Sequence, residues 1–283
     1  MNLHEAEIEN DVLLLGHLKS NKDDGFAILY EIYGTRIYTF AFRMLQNKTE
    51  AEDITQETFL QIFKSLDQFR GESRFNTWVF AIVKNLCIRE LKKKKKNTFT
   101  SMETLIDSVK SHEKLNKFDE YEKQNLLNQI KDGCFTGLLR CLSFNQRMAF
   151  ILNILLDLSI KDVAIILEKS EGAVKVLVHR ARSNLKNFLC RNCSLYNDKN
   201  HCHCEDMLSF SLSQGWIEKP KGGSLPSSDL YFPDVIQNEI NGIRKVVVLY
   251  KSLALQSPSS DFHQKIREEI TRKDLIIFSA KKV

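Results

Sequence analysis

The sequence predicts an all-α protein: two helical domains joined by a linker, then a cysteine-rich helical extension. Three observations carry that prediction. Apolar residues recur at spacings of three and four through most of the 283 residues. Only four prolines and eleven glycines interrupt them, and no solenoid or collagen-like repeat is present. A polar stretch over 97–119, charged with both signs, divides one group of helices from the next.

The elements follow in order. Val12, Leu13, Leu15 and Leu18 give a first amphipathic stretch. Phe26, Leu29, Tyr30, Tyr33 and Ile37 give a second. A third is expected from Thr49, where Thr49-Glu50-Ala51-Glu52 fits a capping box. Ala51, Ile54, Phe59, Ile62, Phe63 and Leu66 form its stripe, and Gly71 ends the pattern. A fourth runs from about Asn76 to the lysines at 92–96. Helices resume near Tyr121 and continue to about Leu189. A cysteine-histidine cluster fills 190–204, and Lys219 to Asp229 reads as a second linker. Residues 231–283 are again helical, with Ile240, Ile243, Val247 and Tyr250 on one face.

Lys and Arg exceed Asp and Glu by 41 to 36, a net of +5. That excess permits a nucleic-acid partner without requiring one, so the placement of charge decides. The start, Met1-Asn2-Leu3-His4-Glu5, lacks the basic-then-apolar order of a signal peptide. No apolar run approaches the roughly 20 residues that cross a bilayer. No membrane association is expected, and the expected compartment is the cytoplasm. There thiols stay reduced, so the seven cysteines read as buried thiols or metal ligands. Cys87, Cys134 and Cys141 fall within apolar patterns and are expected in the core.

The most informative segment is Leu158 to Leu189. Ser159-Ile160-Lys161-Asp162 caps a short helix whose buried face is Val163, Ala164, Ile166 and Leu167. After Glu168-Lys169, Ser170 caps a second helix. Val174, Leu177, Val178, Ala181, Leu185 and Phe188 form its apolar stripe. Lys175, Arg180, Arg182, Lys186 and Arg191 stand on its other face against Glu171. Such a pair can place its second helix in the major groove of DNA. An ordinary helical hairpin with a solvated basic face is the alternative.

In Cys190-x2-Cys193-x8-Cys202-x-Cys204, His201 and His203 are interleaved. Tetrahedral zinc takes four such ligands. Cys190, Cys193, Cys202 and Cys204 are the candidate ligands, with His201 and His203 as alternatives to Cys190, and one structural or sensory zinc is the expected cofactor. Reduced thiols without metal are the other reading.

Two motif sets then bear a resemblance. Leu142-Ser143-Phe144-Asn145-Gln146-Arg147, Leu158 to Ala164, Gly172-Ala173-Val174-Lys175 and His179-Arg180-Ala181-Arg182 resemble region four of the extracytoplasmic-function sigma factors. Glu52 to Phe59, Phe69 to Trp78 and Ile82-Val83-Lys84-Asn85 resemble region two of the same family. The resemblance covers about residues 24–190, and the cysteine-rich tail is similar to an extension on one subgroup, usually matching at Cys193, Cys202 and Cys204. It implies region two over 1–96, a linker over 97–119, region four over 120–189 and an extension over 190–283, possessing no catalysis of its own. Core RNA polymerase and promoter DNA, duplex and melted, are the implied partners. An anti-sigma partner is not identified by these residues.

Particular roles follow from the resemblance. Asp53, Gln56 and Glu57 match the positions that dock on a helical clamp of polymerase. Arg70, Ser73, Arg74, Phe75, Trp78, Lys84 and Arg89 match the segment that holds melted promoter strand. That task needs aromatic faces and cations, although Phe75 and Trp78 also suit a core. Ser170, Lys175, His179, Arg180, Arg182 and Lys186 match the helix that meets the upstream duplex. Two features depart from the family pattern. Val176 and Leu177 replace a small polar residue and an arginine, and Glu168 replaces glycine at the turn, where left-handed backbone costs about 1 kcal/mol. A helix-turn-helix regulator that works without polymerase is the runner-up, opposed by the motifs over 24–96. A zinc enzyme acting on nucleic acid is a third reading. It would need a positioned general base; Glu205 is adjacent, but no His-x-Glu with Cys-x-x-Cys is present.

Overall fold

The computed structural model of the protein describes residues 15–16, 22–93, 119–219, 242–253 and 255–272. Among them the regular structure is helical, with one isolated bridge between Cys193 and Cys202. The long helices are α1 (Lys22–Leu45), α2 (Lys48–Ser65), α3 (Phe75–Lys93), α4 (Glu120–Leu138) and α5 (Phe144–Phe150), which continues into a π-helical turn over Ile151–Leu155. Then come α6 (Ile160–Leu167), α7 (Glu171–Asn192), α8 (Leu208–Ser213), α9 (Gly242–Lys251) and α10 (Phe262–Arg272). Most of the first amphipathic stretch, of the linker over 97–119 and of the second linker lies outside the described residues, as does Ile240. None of the described helices is long and apolar enough to cross a membrane.

The chain forms two compact units. The first holds residues 1–95, 158–174 and 255–283, the second 96–157 and 175–254. This division differs from the linear one read from the sequence, because α6 and α10 join the N-terminal helices.

In the first unit, α1, α2 and α3 share an aromatic core. Phe40 meets Phe80 edge-on at 6.1 Å, and Phe26 meets Phe59 at 5.8 Å. The start of α2 corrects the sequence reading. Asn47, not Thr49, is the N-cap, with extended backbone and a side chain that accepts from Glu50 N at 3.0 Å. Asn is among the strongest caps, and an earlier cap adds residues to the helix.

Helix α6 has only eight residues, too few to persist alone. It is fixed at its first turn by Asp162, which is buried. Ser159 Oγ accepts from Asp162 N at 3.1 Å and donates to Asp162 Oδ2 at 2.5 Å. Thr77 Oγ1 of α3 donates to Oδ1 at 2.7 Å, and Arg74 Nη1 reaches Oδ2 at 3.3 Å.

In the second unit, Leu126, Leu127 and Ile130 of α4 enclose a cluster with Met207, Leu208 and Ile217. Phe210 and Leu212 pack against it, while Trp216 stays exposed. Tyr250 of α9 stands edge-on to Phe135 at 5.0 Å and Phe150 at 4.9 Å, and its hydroxyl donates to Phe135 O at 3.0 Å. Val246, Leu249 and Tyr250 form the buried face of α9, with Val247 only half-buried. Cys87 is buried as expected, whereas Cys141 is exposed at the end of the 3-10 turn after α4.

Asp162→Ala should lower the stability of the chain by about 3 kcal/mol, since hydrogen bonds to a charged group contribute roughly 1.5–3 kcal/mol each. Thr77→Val, which removes one donor and keeps the shape, should cost about half as much. Urea midpoints of the two variants against the native chain check this order.

Candidate nucleic-acid interface and thiol cluster

The turn after α6 is built by backbone geometry. Glu168 N donates to Ile165 O at 3.2 Å and Lys169 N to Ala164 O at 3.0 Å, the pairing of a Schellman motif. Glu168 takes the left-handed position, with φ of 55°, where a β-carbon costs about 1 kcal/mol. Its carboxylate is placed 2.7 Å from Lys84 Nζ, and that bond and charge hold the carboxyl below its usual range. Ser170 Oγ accepts from Ala173 N at 3.2 Å and opens α7, as its sequence position predicts.

Along α7, Val174, Val178, Ala181, Leu185 and Leu189 are buried, while Leu177 and Phe188 are half-buried. Ser170, Lys175, His179 and Arg180 are exposed. Lys186 is half-buried, and so is Arg182, whose Nε is enclosed without a hydrogen-bond partner. Burial lowers the Arg182 pKa. Val176 is exposed at 47%, so α7 offers an apolar contact beside its cations.

The segment over 69–89 divides into open and engaged side chains. Arg70 and Arg89 are exposed. Gly71, with φ of +73°, supplies the left-handed turn before Ser73. Ser73 is half-buried and donates to Arg74 O at 3.3 Å. Trp78 is half-buried, tilted against Phe69 at 5.3 Å and Phe75 at 5.5 Å. Phe75 is 0% exposed, which corrects its expected role as a stacking face: aromatics at helical spacing pack when a core lies beneath them. Arg74 and Lys84 are correspondingly turned onto carboxylates, those of Asp162 and Glu168. On α2, Asp53 is exposed, and Gln56 and Glu57 are half-buried.

The cysteine segment returns on itself. Ser194 N donates to Cys202 O at 3.1 Å and Cys202 N to Asn192 O at 3.1 Å. Asn200 Nδ2 donates to the carbonyls of Leu189, Cys190 and Cys193. Cys193 is buried, Cys202 and Cys204 are half-buried, and Cys190, His201 and His203 are exposed. Cys204 packs against the α4 cluster. Burial, then the charges of Cys193, Cys204 and Cys202, push the Cys134 thiol well above its usual value. Burial and the Cys193 charge raise Cys204 to about 12. Cys134, read from the sequence as a core residue, therefore shares the neighbourhood of the three tail thiols. No local motif flags it; it lies on α4 one turn beyond Ile130. Among the described residues, no group of three or more His, Cys, Asp and Glu side chains stands in metal-holding geometry.

Comparison with known proteins places these segments. Residues 29–97 match Sigma-70 region 2, and residues 132–185 match Sigma-70, region 4. The chain is 30% identical over 176 residues to the ECF RNA polymerase sigma factor SigW of Bacillus subtilis, covering 60% of this chain and 91% of SigW. It is 26% identical over 170 residues to SigX of the same organism, covering 58% of this chain and 83% of SigX. It is 25% identical over 177 residues to BldN of Streptomyces coelicolor, covering 62% of this chain and 64% of BldN.

If the exposed cations of α7 contact phosphates, Lys175→Ala and Arg180→Ala should each reduce the slope of log affinity against log salt by about 0.9 on duplex DNA. Both should weaken all sequences alike. Arg182→Ala should change the slope less, because its guanidinium is half-buried. Titrations at several salt concentrations on two unrelated duplexes check this ranking.

Proposed function

The chain belongs to the ECF family of RNA polymerase sigma factors, and from that premise we propose how its surfaces divide the task of promoter recognition. As a sigma factor it partners RNA polymerase and promoter DNA in transcription initiation, and it is not an enzyme. The polar side of α2, with Asp53, Gln56 and Glu57, is proposed to dock on polymerase. The observation that supports it most directly is Asp53 standing exposed on a helix whose other side is packed with Ala51, Ile54, Phe59, Ile62 and Phe63. Arg70, Arg89, the Gly71–Ser73 turn and the half-open face of Trp78 are proposed for the melted strand, which needs cations for phosphates and a ring for stacking. The exposed side of α7 is proposed for the upstream duplex, with Lys175, His179 and Arg180 foremost. The proposed compartment is the cytoplasm, where the polymerase works.

The cysteine-rich tail is proposed to mark the subgroup with that extension and to take one zinc ion. Cys193, Cys202, Cys204 and Cys134 are the proposed thiolates. What supports the set is the return of the tail segment onto itself and of Cys204 onto α4. After burial, the charges of Cys193, Cys202 and Cys204 also raise Cys134, and those of Cys193 and Cys202 raise Cys204, an effect that a dication reverses. Zinc would have to draw the sulfurs to about 2.3 Å from itself, closing the tail segment on α4. Cys190 and the two histidines are exposed and are left outside this set.

Reversing charge with Asp53→Arg and Glu57→Arg should reduce affinity for core polymerase at least ten-fold. The fold should survive, because surface substitutions usually shift stability by less than about 0.5 kcal/mol. Equilibrium binding to core polymerase, with helix content as the control, tests it; unchanged affinity removes α2 from the docking surface. For the tail, metal analysis should find one zinc per chain, and cobalt substitution should give the absorption of a four-thiolate site. Cys134→Ser should shift that spectrum toward three thiolates, whereas Cys190→Ser should leave it unchanged. A chain that binds no stoichiometric metal contradicts the zinc reading.

A further inference from the structure

The extension returns to the N-terminal helices. Residues 255–272 lie in the first compact unit with α1, α2 and α3, although they stand far beyond residue 185, where the region 4 match ends. Three anchors hold them there. Gln256 N donates to Thr39 Oγ1 at 2.8 Å, and Thr39 Oγ1 donates to Gln256 O at 3.1 Å. Ser259 N donates to Glu52 Oε1 at 3.0 Å. The His263 ring stacks on Phe26 at 5.4 Å and meets Tyr30 edge-on at 4.6 Å. Helix α10 is amphipathic in the sense this requires. Phe262 and Ile266 are buried, while Gln264, Lys265, Arg267 and Glu268 are exposed.

One of these anchors falls on α2, at Glu52, and the other two on α1, where Phe26 and Tyr30 meet α2 from the other side. Residues at i, i+4, i+7 and i+11 share a helix face, so Glu52, Gln56, Phe59 and Phe63 form a line. Glu52 at one end holds the Ser259 amide. Phe59 and Phe63 at the other lie against Phe26, and Phe59 also against Tyr30, the two rings that clasp His263. Gln56 falls between Glu52 and Phe59 on that line. Burial raises the pKa values of Tyr30 and Tyr38 and Asp261 raises that of Lys265, and all three also feel the charge of Glu52. Helices α1, α2 and α10 therefore meet around it.

We propose that residues 255–272 are a built-in cover for the α1–α2 face, competing with polymerase for the Gln56 side of α2. The proposal rests on the reading of α2 as the polymerase-docking helix. A chain whose docking helix is covered binds its partner with an affinity reduced by the fraction that is uncovered. Releasing the cover therefore tightens binding without adding any contact to polymerase.

The test uses the full-length chain. Ile266→Asp puts a charge into the buried seam of α10, and His263→Ala removes the ring between Phe26 and Tyr30 while leaving the seam apolar. Both are measured for affinity to core polymerase and for hydrogen exchange of the Ser259 amide, which reports release. Ile266→Asp should expose that amide and bind core on the order of ten-fold tighter, with His263→Ala shifted several-fold in the same direction. Faster exchange at Ser259 with unchanged or weaker core affinity overturns the cover. If Ile266→Asp fails to fold, His263→Ala decides by the same two readouts. Asp53→Arg in the native chain separates this outcome from a failure of the docking assignment. If Asp53→Arg leaves core binding intact, α2 is not the docking helix; if it abolishes binding and release still has no effect, only the cover is wrong.

Discussion

The buried carboxylate of Asp162 is the interaction on which the first unit depends. It joins a local task to a tertiary one. Locally it receives the Ser159 hydroxyl and completes the cap of α6. Across the unit it takes the Thr77 hydroxyl and the Arg74 guanidinium of the α3 segment. An eight-residue helix spans only about 12 Å and has little stability of its own. The second tie, Lys84 to Glu168, lies just beyond its other end. With a polar anchor at each end, α6 has one register on α3, and an apolar seam alone would fix it less closely.

Those anchors bear on promoter recognition. Arg74 and Lys84 belong to the segment that the sigma-factor resemblance gives to the melted strand, yet both side chains are engaged by carboxylates of the same chain. A phosphate at these cations would compete with the carboxylates that Arg74 Nη1 and Lys84 Nζ already meet, buried Asp162 and exposed Glu168. Phe75 is withdrawn more completely, because it sits in the core beneath Trp78. The open remainder is Arg70, Arg89 and part of Trp78. On the α1–α2 side of the same unit, residues 255–272 meet Thr39, Glu52, Phe26 and Tyr30. The first unit thus carries chain segments from far along the sequence on two of its surfaces.

Much of this was legible in the sequence, where the controlling physics is local. Ser159 and Ser170 announce their helices because a cap needs only a hydroxyl and the amide three residues on. Glu168-Lys169 announces a turn because the apolar pattern stops before it and a new cap follows at once; the left-handed backbone at Glu168 was implied only by the family's glycine there. Asn47 was hidden by a competitor, since Thr49 with Glu52 also fits a capping box, and only the packed hairpin selects the earlier start. The polar side of α2 was visible as a face, but its neighbour α10 was not. Helical periodicity tells that Phe262 and Ile266 need covering, and nothing in it tells by what. The neighbours of Cys134 were hidden for the same reason: Cys193, Cys202 and Cys204 lie nearly sixty residues or more along the chain, and a thiol in an apolar helix pattern looks like any small core residue. The pairing of Asp162 with Thr77 is equally long-range, 85 residues apart, so the sequence revealed the cap and concealed the tie.

The central claim is that this chain acts by bringing polymerase to promoters, with its own helices arranged around that task. Transcription in vitro tests it most directly: core polymerase with and without the full-length chain, on a library of genomic promoter fragments. The account predicts new transcripts that require the chain, from fragments sharing an upstream and a start-proximal element, and lost when Asp53 and Glu57 are reversed in charge. A chain that binds duplex DNA alone, forms no complex with core and starts no transcript from any fragment would contradict it.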